Sequence, residues 1–326
     1  MGSVSPNGPV GAADRAGAAD RARDRFRGSL VGLAVGDALG APAEFLSAEQ
    51  VAERWGILTE MVGGGCHDCQ PGEVTDDTEM MLCLAESLVS LGDFDAEDVM
   101  RRYVAWFDTD PVDVGITVRT VMLGVKSGTG WERAARRAHE VLGRMTAGNG
   151  SLMRSAPVAL RYVNEPQRRG TVALADSALT HFDPVAGWAC VALGELIAAA
   201  IAGELRERLP AIATRLHDDE PRVAAVLTQA GEATREEIVA SGYVLDTLKA
   251  ALWAVVRSAS FEDALIGAVN LGDDADTVGA VAGALAGALY GETAIPGRWA
   301  GALLVRERVL AAADGLVDLA FPTQPG

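Results

Sequence analysis

The sequence predicts an all-α fold in one domain, and three observations carry that prediction. Hydrophobic residues make up 49% of the chain but aromatic residues only 5%, and much of the apolar content is alanine, which favours closely packed helices over sheet. Apolar residues recur at three- and four-residue spacing, as in Met81, Leu84, Leu88 and Leu91. No run alternates convincingly as a half-buried strand does, no fixed-period repeat appears, and no Pro/Ser-rich linker divides the 326 residues. A chain of this length can bury a sizeable core.

The segment 1–24 is small, polar and Gly/Ala-rich, and is expected to be a disordered tail ahead of a domain spanning 25–322. Residues 25–40 form an apolar helix ending in GDALGAP, and residues 47–56 a short helix. A glycine-rich loop, 62–74, leads to a helix from Asp77 to about Leu91. Asp95 starts the next helix, through VMRRYVAWF, and a loop at 108–114 precedes a helix at 115–127. Trp131 to Leu142 is helical with basic residues on one side, 143–152 is a loop, and MRSAPVAL starts a further helix. Segments 170–180, 184–203, 205–217, 220–233, 246–258 and 261–269 also read as helices. The last large one is 277–290, where Gly279, Gly283, Gly287 and Gly291 sit four apart and form one smooth stripe that lets a neighbouring backbone come close.

The formal net charge of −17 argues against nucleic acid as a partner. An anionic ligand therefore needs locally placed donors, such as helix N-termini or glycine-loop amides. The N-terminus lacks the apolar core of a secretory signal. The most apolar stretch, Pro184 to Gly203, contains Glu195 and reads as a buried helix rather than a membrane span. A cytoplasmic monomer with no membrane partner is the expectation. Four cysteines make no disulfide framework: Cys83 and Cys190 lie in apolar helices as buried thiols. Cys66-His67-Asp68-Cys69 is half a zinc motif, with no second CxxC or HxxxH to complete it, and reads as a surface loop.

Chemistry concentrates in two acidic clusters, Thr75-Asp76-Asp77-Thr78 and Asp273-Asp274-Ala275-Asp276-Thr277. Each follows a glycine-containing turn and opens an apolar helix. Either one alone reads as an N-cap. Capping needs one oxygen, however, and each cluster supplies at least three within four residues. Carboxylates and threonine hydroxyls are hard ligands suited to Mg²⁺ or Mn²⁺. If the two helix starts meet, Asp76, Asp77, Asp274 and Asp276 can balance two divalent cations, a device that activates water and grips vicinal oxygens. Five further features are individually weak. Glu44 follows a Gly-Ala-Pro turn and is either a cleft carboxylate or a solvated loop residue. The AGNGSLMR turn, Ala147 to Arg154, is a helix entry whose amides can hold a diphosphate or ribose. His181 precedes a helix, Asp113 lies on a loop, and Tyr243 is one of four tyrosines; each alone reads as structural.

Taken together, these segments resemble the ADP-ribosylglycohydrolase family. GLAVGDALGAPAEF, PGEVTDDTEM, VDVG, GWERAARRAHE, GNGSLMRSAPVAL, THFDP, GYVLDTLKAALWAV and NLGDDADTVGAVAGALAGALYG occur in the family's order from about Phe26 to about Phe321. The resemblance implies a single compact orthogonal multi-helix domain with a binuclear Mg²⁺ or Mn²⁺ site in a cleft. It implies hydrolysis of the bond between ADP-ribose and an acceptor such as a protein arginine or serine, releasing ADP-ribose. A free ADP-ribose derivative such as O-acetyl-ADP-ribose is the alternative substrate, and a non-catalytic ADP-ribose binder the alternative class. Carried over by motif, Thr75, Asp76 and Asp77 match the first metal-ligand set and Asp274, Asp276 and Thr277 the second. Glu44 matches a loop glutamate that contacts the metal site in some members and is proposed to act in catalysis there; Asp76, Asp77 and Asp274 are the other catalytic assignments. Asp113, Gly148, Asn149, Gly150, Ser151 and His181 match substrate-cleft positions, and Tyr243 is assigned to adenine packing. Two departures border the cleft: Val74, where many relatives have Trp or Phe, and the cysteine-bearing GCHDCQ loop.

Overall fold

Two glycine-striped helices run through the centre of the molecule. A computed structural model describes residues 12–322. Helix α1, Ala12–Gly40, packs along the helix Ala275–Tyr290 more extensively than any other pair of elements. The expected stripe at Gly279, Gly283 and Gly287 meets a second stripe on α1, at Gly28, Gly32 and Gly36. A Cβ on Gly36 would lie 1.9 Å from the Gly279 carbonyl oxygen, one on Gly283 1.9 Å from that of Gly32, and one on Gly287 1.8 Å from that of Gly28. Only glycine permits this backbone-on-backbone contact. At the end of the row Gly40 abuts Ala275, which fixes the start of the later helix against the end of α1.

The remaining helices surround this pair. A 3₁₀ turn, Ala41–Ala43, leads to α2, Ala48–Trp55, which Ser47 and Gln50 close with a reciprocal capping box. Helices α3 (Asp76–Leu91), α4 (Ala96–Phe107), α5 (Ile116–Lys126) and α6 (Trp131–Val141) follow the expected order. Helix α7 is short, Ala156–Arg161: Met153 and Arg154 belong to the preceding turn, and Pro157 sits in the first helical turn. Helix α8 starts at Pro166, four residues before the expected 170, again with proline at its entry. Then come α9 (Pro184–Ala202), α10 (Leu205–Leu216), α11 (Pro221–Gln229), α12 (Val244–Arg257), α13 (Phe261–Val269) and α14 (Ala275–Tyr290). Helix α9 is long and apolar enough to cross a membrane, but 72% of its apolar window is buried inside the molecule. No strand occurs among the described residues, only three isolated bridges.

Two features differ from the sequence expectation. The segment 1–24 was expected as a disordered tail, yet it is helical from Ala12, as the first turns of α1; residues 1–11 lie outside the described residues. Asp314 holds that early part of α1, accepting from Arg23 at 2.9 Å and from Arg27 at 2.7 Å. Asp314 belongs to α16, Arg306–Ala320, which with α15, Gly297–Ala302, forms a C-terminal element not anticipated from the sequence. Helix α16 turns Val309, Ala312, Ala313, Leu316 and Val317 inward against α1, α3 and α7.

Candidate active site

The two acidic clusters meet. Thr75 is the N-cap of α3, with Asp76 and Asp77 in its first turn; Asp274 is the N-cap of α14, with Asp276 in its first turn. Both helix starts converge because the glycine contact pins the beginning of α14 to the end of α1, and α1 also holds α3. The link to α3 is Asp37, fully buried on α1. Its carboxylate accepts from the Thr75 amide at 3.0 and 3.1 Å, the Thr78 amide at 3.1 Å and the Thr78 hydroxyl at 2.5 Å. Thr75 makes no side-chain cap, so a carboxylate from another helix caps α3. Across the junction Asp77 Oδ2 accepts from the hydroxyls of both Thr75 and Thr277 at 3.4 Å.

The junction floors a cavity of about 420 Å³. Of the residues singled out in the sequence, Glu44, Asp76, Asp113, Gly148, Asn149, Gly150, His181, Asp274, Asp276 and Thr277 line it; Thr75 and Asp77 lie deeper, 0% and 1% exposed. Asn149 is structural as well as lining: its side-chain nitrogen donates to Asp274 Oδ2 at 2.8 Å and to the Thr247 hydroxyl at 2.9 Å. The Gly148–Gly150 turn lies on the His181 ring, where a Cβ on Gly150 would come within 2.9 Å of Cε1. His181 contacts the Thr180 hydroxyl through Nδ1 at 2.8 Å, and burial, aided by the nearby Arg154 charge, pushes its pKa down to about 3. It is therefore a neutral imidazole at ordinary pH. Asp273, left out of the ligand set, is exposed and adopts a left-handed φ of 53°, turning the chain so that Asp274 faces inward.

Two assigned positions fall elsewhere. Ser151 is wholly buried, and its hydroxyl accepts from Ser177 at 2.8 Å, so it faces the core. Tyr243 is 38% exposed and does not line the cavity; its neighbour Gly242 does, accepting from the Asn149 amide at 3.1 Å. Gly148 and Tyr243 form an isolated backbone bridge, so the Tyr243 backbone borders the glycine turn that walls the cavity.

Electrostatically the cavity is strained. Burial, followed by neighbouring negative charge, raises the pKa values of Asp76, Asp77 and Asp276 well above the usual carboxylate range. Asp274 is raised too, by burial, against hydrogen bonds from Asn149 and Thr277. Burial lifts Asp37 to about 6, while its bonds to Thr78 and Thr75 oppose the shift. Burial and then Asp113 lift Glu44 to about 7. Asp77 Oδ1 and Asp276 Oδ1 are buried with no hydrogen-bond partner. Such atoms are uncommon in folded proteins and take a partner from outside the chain, a water or a cation. Two unpartnered carboxylate oxygens, flanked by two aspartates and two threonine hydroxyls, are the donor set that hard divalent cations require. None of the described residues lining the cavity is Lys or Arg.

Sequence reasoning undervalued Asp37, and a signal was present: it is the single charged residue in GSLVGLAVGDALG, an otherwise apolar stretch. Arg154 was also passed over. It is wholly buried, with Nε 3.2 Å from Asp176 Oδ2, its guanidinium 4.6 Å from the Tyr103 ring centroid, and Nη1 reaching the Gly150 carbonyl at 3.4 Å. It braces the glycine turn from below.

A sequence profile of the ADP-ribosylglycohydrolase family matches residues 18–325. The chain is 38% identical over 308 residues to the ADP-ribosylarginine hydrolase of Serratia proteamaculans, covering 91% of this chain and 80% of that protein. It is 36% identical over 312 residues to the ADP-ribosyl-[dinitrogen reductase] glycohydrolase of Rhodospirillum rubrum, covering 91% and 97%. A solved structure described as an ADP-ribosylglycohydrolase-related protein complex superposes with a TM-score of 0.80 at 39% identity, covering 93% of this chain and all of that one. In sequence and in fold, over nearly its whole length, the chain belongs to the ADP-ribosylglycohydrolase family of hydrolytic enzymes.

Proposed function

We propose that the protein hydrolyses the N-glycosidic bond between ADP-ribose and an arginine side chain of a modified protein, releasing free ADP-ribose. The observation that carries this reading is the junction of two acidic helix starts, with two unpartnered buried carboxylate oxygens, on the floor of one cavity. The relatives named for arginine-linked and dinitrogen-reductase-linked ADP-ribose, at 38% and 36% identity, favour a protein acceptor and arginine in particular. The absence of Lys and Arg among the described lining residues agrees with a cationic guanidinium approaching an acidic cavity.

Thr75, Asp76, Asp77, Asp274, Asp276 and Thr277 would hold two divalent cations, Mg²⁺ or Mn²⁺. When bound, the cations supply Lewis acidity toward the vicinal ribose hydroxyls and the attacking water. The protein's own groups do the rest. The carboxylates stabilise positive charge developing on the ribose ring as the C1–N bond stretches. Glu44, which burial and then Asp113 raise to about 7 before any cation neutralises the cluster, is the carboxylate placed to take the proton of the attacking water. The leaving guanidine departs neutral from a protonated guanidinium, so no strong acid is needed beside it. That suits a cavity whose histidine, His181, stays uncharged. The turn Gly148–Gly150 and the flat face of His181 offer close approach for the diphosphate and ribose, with Asn149 keeping Asp274 in place.

The test is release of free ADP-ribose from arginine- and serine-linked ADP-ribosyl peptides, followed by mass spectrometry with Mg²⁺, Mn²⁺ or chelator. Metal-dependent release from the arginine peptide is expected. Release from the serine peptide alone would overturn the acceptor. Turnover of O-acetyl-ADP-ribose with neither peptide cleaved would move the substrate to free ADP-ribose derivatives.

A further inference from the structure

The cysteine-bearing loop is assigned no step in this reaction, yet it is built against the site. Gly63, Gly64 and Gly65 all have left-handed φ values, 64°, 83° and 77°. Gly64 and Cys69 exchange both backbone hydrogen bonds, at 2.7 and 3.0 Å, closing a tight hairpin. Gly65 rests on the Ala41 carbonyl, where a Cβ would come within 2.6 Å, so the hairpin is seated on the turn that carries Glu44. Its tip lays Cys66 and His67 over that carboxylate. Cys66 Sγ donates to Glu44 Oε2 at 3.3 Å, and His67 Nε2 lies 2.9 Å from the same oxygen and 3.7 Å from Asp113 Oδ1. Despite that proximity, Nε2 is not aligned for a hydrogen bond to any acceptor. A sulfur, an imidazole nitrogen and a carboxylate oxygen thus lie within 4.8 Å of one another, on backbone already folded to hold them.

We propose that Cys66, His67 and Glu44 form a site for one thiophilic divalent cation of the zinc class, and that filling it withdraws Glu44 from catalysis. The donor set chooses the metal: thiolate and imidazole suit Zn²⁺ or Co²⁺, whereas Mg²⁺ and Mn²⁺ prefer the all-oxygen junction below. Three protein ligands leave a fourth position for water or for Asp113, whose Oδ1 lies 3.7 Å from His67 Nε2. On binding, the Cys66 thiol gives its proton to solvent and its sulfur lone pair to the cation; nothing is oxidised or reduced. Without the cation, burial and the adjacent Glu44 charge push the thiol up to about 12, so it stays protonated. The zinc motif that the sequence leaves half-built is completed by a glutamate about twenty residues upstream rather than by a second cysteine pair. Withdrawal of Glu44 rests on the catalytic reading above; cation binding does not.

The binding test uses the full chain in excess Mg²⁺, titrated with Co²⁺. A thiolate-to-cobalt charge-transfer band should saturate at one equivalent and be bleached by Zn²⁺. It should vanish in Cys66→Ser, persist in Cys69→Ser, and require at least about tenfold more Co²⁺ in His67→Ala. No band, a band that survives Cys66→Ser, or indifference to His67→Ala overturns the site. Zn²⁺ should then inhibit ADP-ribose release with the midpoint of its binding, and Cys66→Ser should need at least about tenfold more Zn²⁺ to halve its own Mg²⁺-supported rate. Saturation without inhibition overturns the withdrawal of Glu44. A protein that shows the band but hydrolyses nothing refutes the catalytic reading and leaves the cation site standing.

Discussion

Replacing Gly36 by alanine places a methyl carbon 1.9 Å from the Gly279 carbonyl oxygen and 2.2 Å from its carbonyl carbon. Both atoms belong to the α14 backbone, so no side chain can swing aside. Restoring an ordinary contact of 3.4 Å requires α1 and α14 to part locally by about 1.5 Å. Overpacking a core costs about 1–3 kcal/mol, and a backbone-to-backbone clash belongs at the top of that range. With an unfolding entropy of about 2.1 cal/mol/K per residue over 326 residues, each kcal/mol moves the midpoint by roughly 1.5 °C, so the melting temperature should fall by about 4–5 °C. The site should suffer more than the fold. Gly36 adjoins Asp37, the cap of α3, and faces the first turns of α14, which carries Asp276. A shift of this size exceeds the roughly 0.5 Å tolerance of a catalytic constellation and should lower turnover by about a hundredfold. Calorimetry and ADP-ribose release read the two effects. The control is Gly267→Ala on α13, where nothing lies within 4 Å of the added carbon; it should gain up to about 1 kcal/mol at unchanged turnover. A Gly36→Ala protein that melts and turns over like the parent would refute the claim that the glycine contact sets the spacing of the site.

Asp276→Asn should abolish turnover and the cation-induced rise in melting temperature, yet raise the melting temperature of chelated protein at pH 8, because it removes a buried carboxylate with an unpartnered oxygen; a lower chelated value would contradict this. Cation-induced stabilisation should be larger at pH 8 than at pH 5: burial and neighbouring negative charge raise the folded pKa values of the ligands Asp76, Asp77 and Asp276 well above the usual carboxylate range, so the stability their protonated forms contribute is lost as pH rises toward those raised values, and cations then replace the protons. Equal shifts at both pH values in thermal melts would count against a cation-binding carboxylate cluster. Asp176→Ala should destabilise by about 3–5 kcal/mol in urea, since it leaves the wholly buried Arg154 uncompensated. Asn149→Ala should weaken cation binding and turnover by about ten- to a hundredfold while the fold holds, as it removes the donor that orients Asp274; isothermal titration against the parent measures it.

The fold class and most helices were legible because helical periodicity and proline or glycine punctuation are local. Helix ends slipped where the decisive residue was proline: Pro157 and Pro166 sit in the first turns of α7 and α8, so the first began later and the second earlier than expected. The acidic clusters were legible as helix starts, and chemistry explained why each had more oxygens than a cap needs. Their convergence was legible only through the family resemblance, because the α1 stripe at Gly28, Gly32 and Gly36 gains meaning only beside its partner on α14. Ser151 and Tyr243 show the opposite difficulty. Motif position assigned them to the cleft, but side-chain direction depends on turn geometry, which placed the Ser151 hydroxyl on Ser177 and left Tyr243 outside the cavity.

A site carried on loops would relieve like-charge repulsion by moving apart. Here Asp76 and Asp77 are fixed to the first turn of α3, Asp274 and Asp276 to the start of α14, and both helices to α1. The glycine row leaves no slack along α14, and Asp37 leaves little along α3. The partial positive ends of the two helices offset some of the repulsion, by up to about 2 kcal/mol per carboxylate in buried geometry, and the threonine hydroxyls and Asn149 offset more. What remains can be neutralised only by protons or by cations, and the raised pKa values of Asp76, Asp77 and Asp276 are the mark of the first. A rigid scaffold that gathers four buried or half-buried aspartates at two converging helix starts therefore makes its own demand for compensating positive charge.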